Sequence, residues 1–281
     1  MLPSELGRAM SAATAIVASF GLVVDDALVL HDSNKLTLRL LPCDVVARVA
    51  PKASQNAQFE IDVAQQLAEC GSPVARLDPR VEARVHERDG FVITVWTHYE
   101  ASERRASPAE YADALGRLHA GMRRLDVQVP SFTERVRQAQ ELLAHPERTP
   151  ALTGPTRETL SRSLRRVRRV TDEPGGDEQL VHGEPHLGNV LSTNEGLLFI
   201  DFETCCRAPV EFDLAHLPED VHEHYPGIDQ ATLFECRMLV LALVTTWRWD
   251  RDDELPNGRQ RAAEWLGQLQ AMVDLADFGR A

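Results

Sequence analysis

The sequence predicts an α+β protein made of two lobes, a small lobe with an antiparallel β sheet and a larger, mainly helical lobe. Short runs rich in leucine and β-branched residues, separated by turn residues, are concentrated in roughly the first hundred positions. From Ser107 onward, apolar residues recur mostly at helical spacing. A further hairpin signal, near residues 190–200, lies among these later helices. Strands first and helices later, with one hairpin among the helices, is the order expected of an α+β chain.

The composition is that of an acidic, globular protein. At 281 residues and 43% hydrophobic content, the chain can bury a core as one large domain or two moderate ones. The formal net charge of −13 argues against a nucleic-acid partner and suits neutral or cationic small molecules better. The longest apolar run, residues 238–244, is too short to span a membrane. Five cysteines without C-x-x-C spacing and no signal peptide indicate reduced thiols, so we expect a cytoplasmic protein.

The N-terminal part predicts a leading helix and then the strands of the sheet. Residues 6–20 place apolar side chains at helical spacing and are followed by Gly21, where a helix would stop. Between the third and fourth strands, residues 55–70 predict a helix that Ser54 can cap. The predicted strands cover residues 27–30, 35–41, 44–49, 81–87 and 91–96.

The rest of the chain predicts helices with recognisable starts. Residues Ser107 to Glu110 have the pattern of a capping box, with Pro108 at the first helical position. A second capping box, Ser131 to Glu134, is expected to open a helix that runs to about residue 144. The later predicted helices cover residues 155–170, 210–217, 230–249 and 259–278.

The most informative stretch lies before and within the second hairpin. It reads Leu-Val-His-Gly-Glu-Pro-His-Leu-Gly-Asn-Val-Leu over residues 180–191 and Leu-Leu-Phe-Ile-Asp-Phe-Glu over residues 197–203. Between the two apolar runs, Asn194-Glu195-Gly196 is a hairpin-turn signal. A loop that carries His182, Glu184 and Asn189 therefore enters a hairpin, and Asp201 leaves it.

This order of residues resembles the catalytic loop and metal-binding aspartate of the aminoglycoside phosphotransferase and choline kinase-like family, whose members are relatives of the protein kinases. The family pattern is His-Gly-Asp, four residues, Asn, and then a hairpin that ends in Asp. Here the matching positions are His182-Gly183-Glu184, Asn189 and Asp201. A further match is Asp213-Leu214-Ala215, where the family carries Asp-Leu-Ala.

The resemblance implies a protein-kinase-like fold and a small-molecule kinase. Residues 1–97 would form the N-terminal nucleotide-binding lobe, and residues 98–281 the catalytic and substrate-binding helical lobe. The reaction would move the γ-phosphoryl group of ATP or GTP to a substrate hydroxyl, with Mg²⁺ as cofactor. The expected partners are thus a nucleotide and a small molecule that carries a hydroxyl, with no nucleic acid and no membrane. The identity of the acceptor stays open, because a shared fold does not imply a shared substrate.

Within the motif, the resemblance gives each polar residue a role. Asn189 and Asp201 offer an amide oxygen and a carboxylate, which are the hard ligands that Mg²⁺ prefers. Glu184 would accept or orient the proton of the substrate hydroxyl. His182 is expected to anchor the loop by hydrogen bonds, and Asp213 to tie the loop down from behind.

The small lobe is expected to hold the nucleotide phosphates with a cation. Alternation along the third strand places Arg48 on the face opposite Val49, where related enzymes have a Lys or Arg that grips the phosphates. Glu60, on the following helix, would pair with Arg48 and orient it. The alternatives are a solvated charge for Arg48 and a surface acid for Glu60.

Two further segments are candidates for nucleotide contact. The turn between the first two strands, residues 31–34, has no glycine to bring the backbone close to phosphates. Either Ser33 and Asn34 bind phosphates through their side chains or the segment is only a turn. Residues 97–100 would form the hinge that faces adenine, and we include Trp96 and His98 among the nucleotide-binding candidates.

Glu184 departs from the family pattern, which has Asp at this position. The extra methylene moves the carboxylate by roughly 1.5 Å, and a misplacement of about 1 Å can lower a rate a hundredfold. Retention of His182, Asn189 and Asp201 favours an active enzyme. The alternative is a catalytically impaired, pseudokinase-type protein that binds a nucleotide or ligand. Glu203 shares a face with Asp201 if the strand persists, and either contacts metal or substrate or is a plain loop acid.

Overall fold

The computed structural model describes residues 3–33, 35–52, 56–171, 178–253 and 255–278. The chain divides into two compact units, one of residues Met1–Val127 with Leu187–Thr204 and one of residues Gln128–His186 with Cys205–Ala281. By packing, residues 98–127 and the second hairpin therefore belong with the sheet. The functional division expected at residue 97 stays a prediction, since packing alone does not test it.

The described elements follow the predicted order of strands and helices. The helices are α1 (Pro3–Ser19), α2 (Ala57–Glu69), α3 (Pro108–Met122), α4 (Phe132–Ala144), α5 (Gly154–Arg165), α6 (Val167–Thr171), α7 (Val210–Leu214), α8 (Glu219–His222), α9 (Gln230–Trp247) and α10 (Gly258–Phe278). The strands are β1 (Val24–Asp32), β2 (Leu36–Pro42), β3 (Val45–Pro51), β4 (His86–Arg88), β5 (Phe91–Thr97), β6 (Gln179–Val181), β7 (Val190–Thr193), β8 (Gly196–Phe199) and β9 (Cys206–Ala208). None of the helices in the described ranges combines the length and apolar character needed to cross a lipid bilayer.

The first unit is built on a five-stranded antiparallel sheet in the order β1-β2-β3-β5-β4. Helix α1 covers one face of it, and Ala9, Ala12 and Ala13 are fully buried there. Alternate residues of β2 and β3 complete this core, namely Leu36, Leu38, Leu40, Val45, Ala47 and Val49. Because side chains alternate along a strand, Arg48 points to the opposite face of the sheet.

The second unit is organised around α9, which packs against α4, α5, α6, α7 and α10. A helix with neighbours on most sides must be apolar on most of its surface, and this accounts for the apolar sequence of α9. The short strands β6 and β9 pair antiparallel in the same unit. This pairing fixes the start of the loop that carries His182 and Glu184.

Helix starts confirm one predicted capping box and correct the other. Before α3, Ser107 Oγ accepts from the N–H of Glu110, and the Glu110 carboxylate accepts from the N–H of Ser107. Before α4, Ser131 Oγ accepts from the N–H of Thr133 instead. The Glu134 carboxylate accepts hydrogen bonds from Arg137 and Gln138. This helix therefore starts with a cap but with no capping box.

Other boundaries differ from the prediction for physical reasons. The helix expected over residues 155–170 breaks at Arg166, whose N–H bonds back to Ser163 and whose guanidinium pairs with Glu235 of α9. Helix α2 begins after Asn56, and the proposed cap Ser54 lies outside the described residues. The fourth strand is shorter than residues 81–87, since only residues His86–Arg88 pair with β5.

Candidate active site

The hairpin β7–β8 brings Asn189 and Asp201 together in the backbone. The N–H of Ile200 donates to the carbonyl oxygen of Asn189 at 3.0 Å, and this bond closes the hairpin. Asp201 is the next residue after Ile200. Asp201 has a φ of +69°, in the left-handed region that Asp tolerates better than most residues. A 3₁₀ turn, Phe202–Thr204, follows, and Phe202 is buried. The strand therefore ends before Asp201, and Glu203 does not share a strand face with it.

Arg48 is held between two carboxylates of the first unit. Its guanidinium forms an ion pair with Glu60 and donates from Nη2 to Asp201 Oδ1 at 2.9 Å. Glu60 is only 2% exposed, and its carboxylate is paired with both Arg48 and Lys35. The ion pair expected between Arg48 and Glu60 is present, and Arg48 also contacts the aspartate at the end of the hairpin.

Lys35 joins the same group of side chains. Its Nζ lies 2.6 Å from Glu203 Oε2, 3.1 Å from Glu60 Oε2 and 3.3 Å from Asp201 Oδ1. The 3₁₀ turn thus places Glu203 beside these side chains, although the strand does not continue to it. We call the three carboxylates, those of Glu60, Asp201 and Glu203, the acidic cluster.

Neighbouring charges shift the pKa values of Asp201 and Lys35 in opposite directions. Burial would raise the pKa of the Asp201 carboxyl, but the charges of Arg48 and Lys35 outweigh burial and lower it. Burial would likewise lower the pKa of Lys35, but the carboxylates, that of Glu60 foremost, outweigh it and raise it. Asp201 is therefore ionised and Lys35 is charged at neutral pH.

The acidic cluster fits a divalent cation. One carboxylate oxygen from each of its three members lies within 4.8 Å of the others. Hard oxygen ligands at such spacing match the preference of Mg²⁺, and among the described residues three carboxylates outnumber the two cations that they contact. A cavity of ≈ 270 Å³ adjoins the cluster, lined among others by Lys35, Arg48, Glu60, Thr94 and Glu203.

The remaining nucleotide-binding candidates lie in the same unit. Trp96 is buried. It lies on the same face of the sheet as Arg48, because Thr94 pairs with Arg48 and Trp96 is two residues after Thr94 in the same strand. The indole Nε1 of Trp96 donates to Thr94 Oγ1 at 2.8 Å. His98 Nδ1 lies 3.4 Å from Asp44 Oδ1, at the turn between β2 and β3.

The candidates in the turn between β1 and β2 are placed only in part. The side chain of Ser33 is exposed, and its N–H donates to the carbonyl oxygen of Lys35 at 3.3 Å. Asn34 lies outside the described residues. Nucleotide contact by Ser33, Asn34, Trp96 and His98 stays a prediction.

In the second unit, Asp213 fixes the loop that precedes Glu184. Its carboxylate accepts from the N–H of His182 at 2.9 Å and from the N–H of Gly183 at 2.7 Å. Asp213 and His182 are both fully buried. The ring Nδ1 of His182 accepts from the N–H of Glu184 at 3.4 Å. These contacts are the anchoring by His182 and Asp213 that the motif predicts.

Glu184 is paired with Arg135 of α4. The guanidinium forms an ion pair with the Glu184 carboxylate and donates to the carbonyl oxygen of Gly183 at 3.1 Å. Burial would raise the pKa of Glu184, but the positive charge of Arg135 outweighs burial and lowers it. Nearby, burial lowers the pKa of His216 to about 4. Glu184 is therefore an ionised, oriented carboxylate at neutral pH.

Two residues of these clusters were not predicted, Lys35 and Arg135. Lys35 directly follows the turn proposed as a phosphate flap, which is a weak local signal. Arg135 lies in the first turn of an ordinary amphipathic helix, 49 residues before Glu184, and has no local signal at all.

Comparison with known proteins identifies the family and the fold of the chain. Residues 31–235 match the model of the phosphotransferase enzyme family. No curated protein sequence matches the chain. Among solved structures, a choline/ethanolamine kinase family protein from Mesorhizobium loti is 19% identical, with 98% of this chain and 97% of that one covered and a TM-score of 0.73.

Two further structures have nucleotides bound. Amicoumacin kinase hAmiN in complex with AMP-PNP, Ca²⁺ and Ami is 12% identical, with 96% of each chain covered and a TM-score of 0.69. The GDP and kanamycin complex of APH(2")-IIia is 14% identical, with 95% of this chain and 99% of that one covered and a TM-score of 0.62. These similarities confirm the predicted α+β, protein-kinase-like fold. Because the family model spans most of its length, the chain belongs to the phosphotransferase enzyme family.

Proposed function

We propose that the protein is an ATP- or GTP-dependent kinase that transfers the γ-phosphoryl group to a hydroxyl of a small molecule. The observation that carries this proposal is the position of Arg48 between Glu60 and Asp201, with Glu203 close by. Phosphoryl transfer requires a cation on the phosphates and carboxylates that hold a metal, and little covalent chemistry from the protein. The first unit contains both kinds of group.

In this proposal the first unit binds the nucleotide. A bound Mg²⁺ would neutralise charge on the phosphates as the phosphoryl group moves. Asp201 and Asn189 would supply oxygen ligands for it, and Glu203 a third one. Arg48 would bind the phosphates directly, while Glu60 keeps its guanidinium in one orientation.

Glu184 would act on the acceptor. Its lowered pKa makes the carboxylate a weak base, so we expect it to orient the hydroxyl by a hydrogen bond and to receive the proton late in the transfer. Arg135 keeps this carboxylate ionised and restricts its rotation. His182 and Asp213 would hold the loop through their buried hydrogen bonds.

The bound molecules of the structural neighbours support a polar acceptor and leave the nucleotide open. One neighbour carries AMP-PNP with Ca²⁺, and another carries GDP with kanamycin. The net charge of −13 suits a neutral or cationic acceptor rather than a nucleic acid. Use of a nucleoside triphosphate also fits a cytoplasmic location.

The test is a screen of the purified protein with ATP and GTP, in the presence of Mg²⁺, against aminoglycosides, amino alcohols and sugars. We expect at least one compound to gain a phosphoryl group, detected by mass spectrometry, and no product with the Asp201→Asn variant. Nucleotide binding without transfer to any compound would instead favour the catalytically impaired binding protein.

A further inference from the structure

Lys35 occupies the centre of the acidic cluster. Its Nζ lies within 3.3 Å of a carboxylate oxygen of each of the three members of the cluster. Three carboxylates therefore surround a group that has three N–H donors. Its side chain is only 15% exposed, which distinguishes it from Lys52, 64% exposed and paired with Glu87 at the surface.

An ammonium in this position competes with a divalent cation. The carboxylate oxygens that contact Lys35 belong to the same groups that fit a metal ion. Two positive charges that share these oxygens would repel each other at short distance. Lys35 must therefore leave part of the acidic cluster when a metal ion is held there.

The position of Lys35 beside the turn between β1 and β2 allows its side chain to adopt a second position. It directly precedes β2, at the end of the turn that follows β1, and the turn is closed by the hydrogen bond from the N–H of Ser33 to the carbonyl oxygen of Lys35. Residues 31–35 include no glycine, so a close approach of the backbone to phosphates is not favoured. A lysine has a flexible four-carbon stem, which can move its charge while the backbone stays in place.

We propose that Lys35 is a phosphate-binding residue and that it rests in the acidic cluster until a metal-bound nucleotide arrives. The proposal rests on the function proposed above. The ammonium of Lys35 would then leave the carboxylates and bind the nucleotide phosphates, so that it has an anionic partner in both positions. The turn between β1 and β2 would thus bind phosphates through one mobile side chain, where a glycine-rich turn would use backbone N–H groups.

The first experiment measures nucleotide affinity by calorimetry for adenosine, AMP, ADP and ATP, each with Mg²⁺, and for the guanine series. Lys35→Met should weaken triphosphate binding roughly tenfold or more, because a charge-assisted contact is lost, and should leave nucleoside binding unchanged. Lys35→Arg should retain most of the affinity. Lys52→Met is the matched control, with the same change of charge and volume and no expected effect.

The second experiment uses Mn²⁺ alone, with its binding followed by electron paramagnetic resonance and no nucleotide present. Lys35→Met should bind Mn²⁺ more tightly than the wild type, since the competing ammonium is gone, and Lys52→Met should behave as the wild type. A residue with only a structural role would not raise metal affinity while lowering triphosphate affinity. Unchanged nucleoside binding shows that the variant is folded.

Each outcome bears on one proposal. Equal triphosphate affinity in Lys35→Met and wild type would overturn the phosphate-binding role, and equal or weaker Mn²⁺ binding would overturn the resting position in the acidic cluster. Both results leave the kinase proposal standing. If the wild type binds neither ATP nor GTP, the proposed function fails, and the role of Lys35 fails with it.

Discussion

The acidic cluster of the first unit and the Glu184 loop of the second unit both hold a carboxylate against an arginine, but their charge balance differs. The acidic cluster has three carboxylates for the two cations Lys35 and Arg48. In the loop, Glu184 is matched with Arg135. A surplus of carboxylates leaves oxygen lone pairs for a further cation, whereas a matched pair fixes the orientation of one carboxylate. This difference supports cation binding by the first group and orientation of an acceptor by the second.

The largest effect is expected from Asp201→Asn, which removes the charge that Arg48 and Lys35 share. Turnover of ATP or GTP with Mg²⁺ should fall below detection, because a neutral amide is a weaker metal ligand than a carboxylate. Nucleotide affinity should fall only when Mg²⁺ is present. Formation of the nucleoside diphosphate in the presence of the acceptor measures turnover, and calorimetry measures nucleotide affinity.

Asp89→Asn is the control for that experiment. Asp89 also has a positive φ, 51° compared with 69° for Asp201, but it lies exposed in the turn between β4 and β5. The two variants therefore change the same chemical group in similar backbone conformations. Full turnover in Asp201→Asn would remove the metal assignment of the acidic cluster.

A double-mutant cycle tests whether Arg48 and Glu60 act as a unit. Nucleotide affinity should fall in Arg48→Ala and in Glu60→Ala, and the double variant should be little worse than either single one. We expect a coupling free energy of about 0.5–3 kcal/mol, the range found for residues in direct contact. The exposed pair of Lys52 and Glu87 is the control, and its cycle should be close to additive. Additive losses at Arg48 and Glu60 would mean that the ion pair does not orient the cation.

The anchoring of the Glu184 loop predicts a loss of stability in Asp213→Ala. The change removes the acceptor of two buried backbone N–H groups, those of His182 and Gly183. The free energy of unfolding, from urea denaturation, should fall by about 2–6 kcal/mol, because each of the two unsatisfied buried donors costs about 1–3 kcal/mol. Asp220→Ala, on the exposed surface of α8, should change it little. Equal stability of the two variants would show that the loop is held by other contacts.

The smallest effect expected is a shift in pH dependence in Arg135→Met. Arg135 lowers the pKa of Glu184, so removal of Arg135 should raise that pKa. Turnover that needs an ionised Glu184 should then be lost at a higher pH, and the acidic limb of kcat/KM should move upward. The stability contributed by the lowered pKa is present above the unfolded-state pKa of about 4.3 and is lost as pH falls through the folded-state value. In Arg135→Met, the free energy of unfolding should therefore fall less as the pH is lowered.

Arg137→Met provides the control for the pH experiment. Arg137 lies on the same helix, is 55% exposed and pairs with Glu134 and Glu141 at the surface. Its acidic limb should coincide with that of the wild type. If the acidic limb of kcat/KM is the same in the wild type, Arg135→Met and Arg137→Met, Arg135 does not lower the pKa of Glu184.

The features that could be predicted from the sequence are those encoded by neighbouring residues. The turn at Asn194 to Gly196 fixes the hairpin β7–β8, and the reciprocal bonds of Ser107 and Glu110 fix the start of α3. For the turn and the helix start, the local pattern contains the geometry. The pair of Arg48 and Glu60 was instead implied by the resemblance to kinase-like small lobes.

The features that were missed depend on residues far apart in the chain. Lys35 meets Asp201 across 166 residues, and Arg135 meets Glu184 across 49. The pairing of β6 with β9 likewise joins two three-residue strands, each too short to give a period-two signal. A long cationic side chain is ordinarily solvated, so its sequence position alone does not reveal a buried partner.

The most direct test of the account is the turnover of Glu184→Gln and Glu184→Asp on the acceptor found in the screen, with Glu219→Gln as an exposed control. Glu184→Gln keeps nearly the same size and loses the charge, so the rate should fall by about 10²–10⁴ with nucleotide affinity little changed. Glu184→Asp should also be slower, because the shorter side chain does not reach the position that Arg135 fixes for the longer one. An unaffected rate in Glu184→Gln, or a rate that rises in Glu184→Asp, would contradict the role of Glu184 as the native residue that acts on the acceptor.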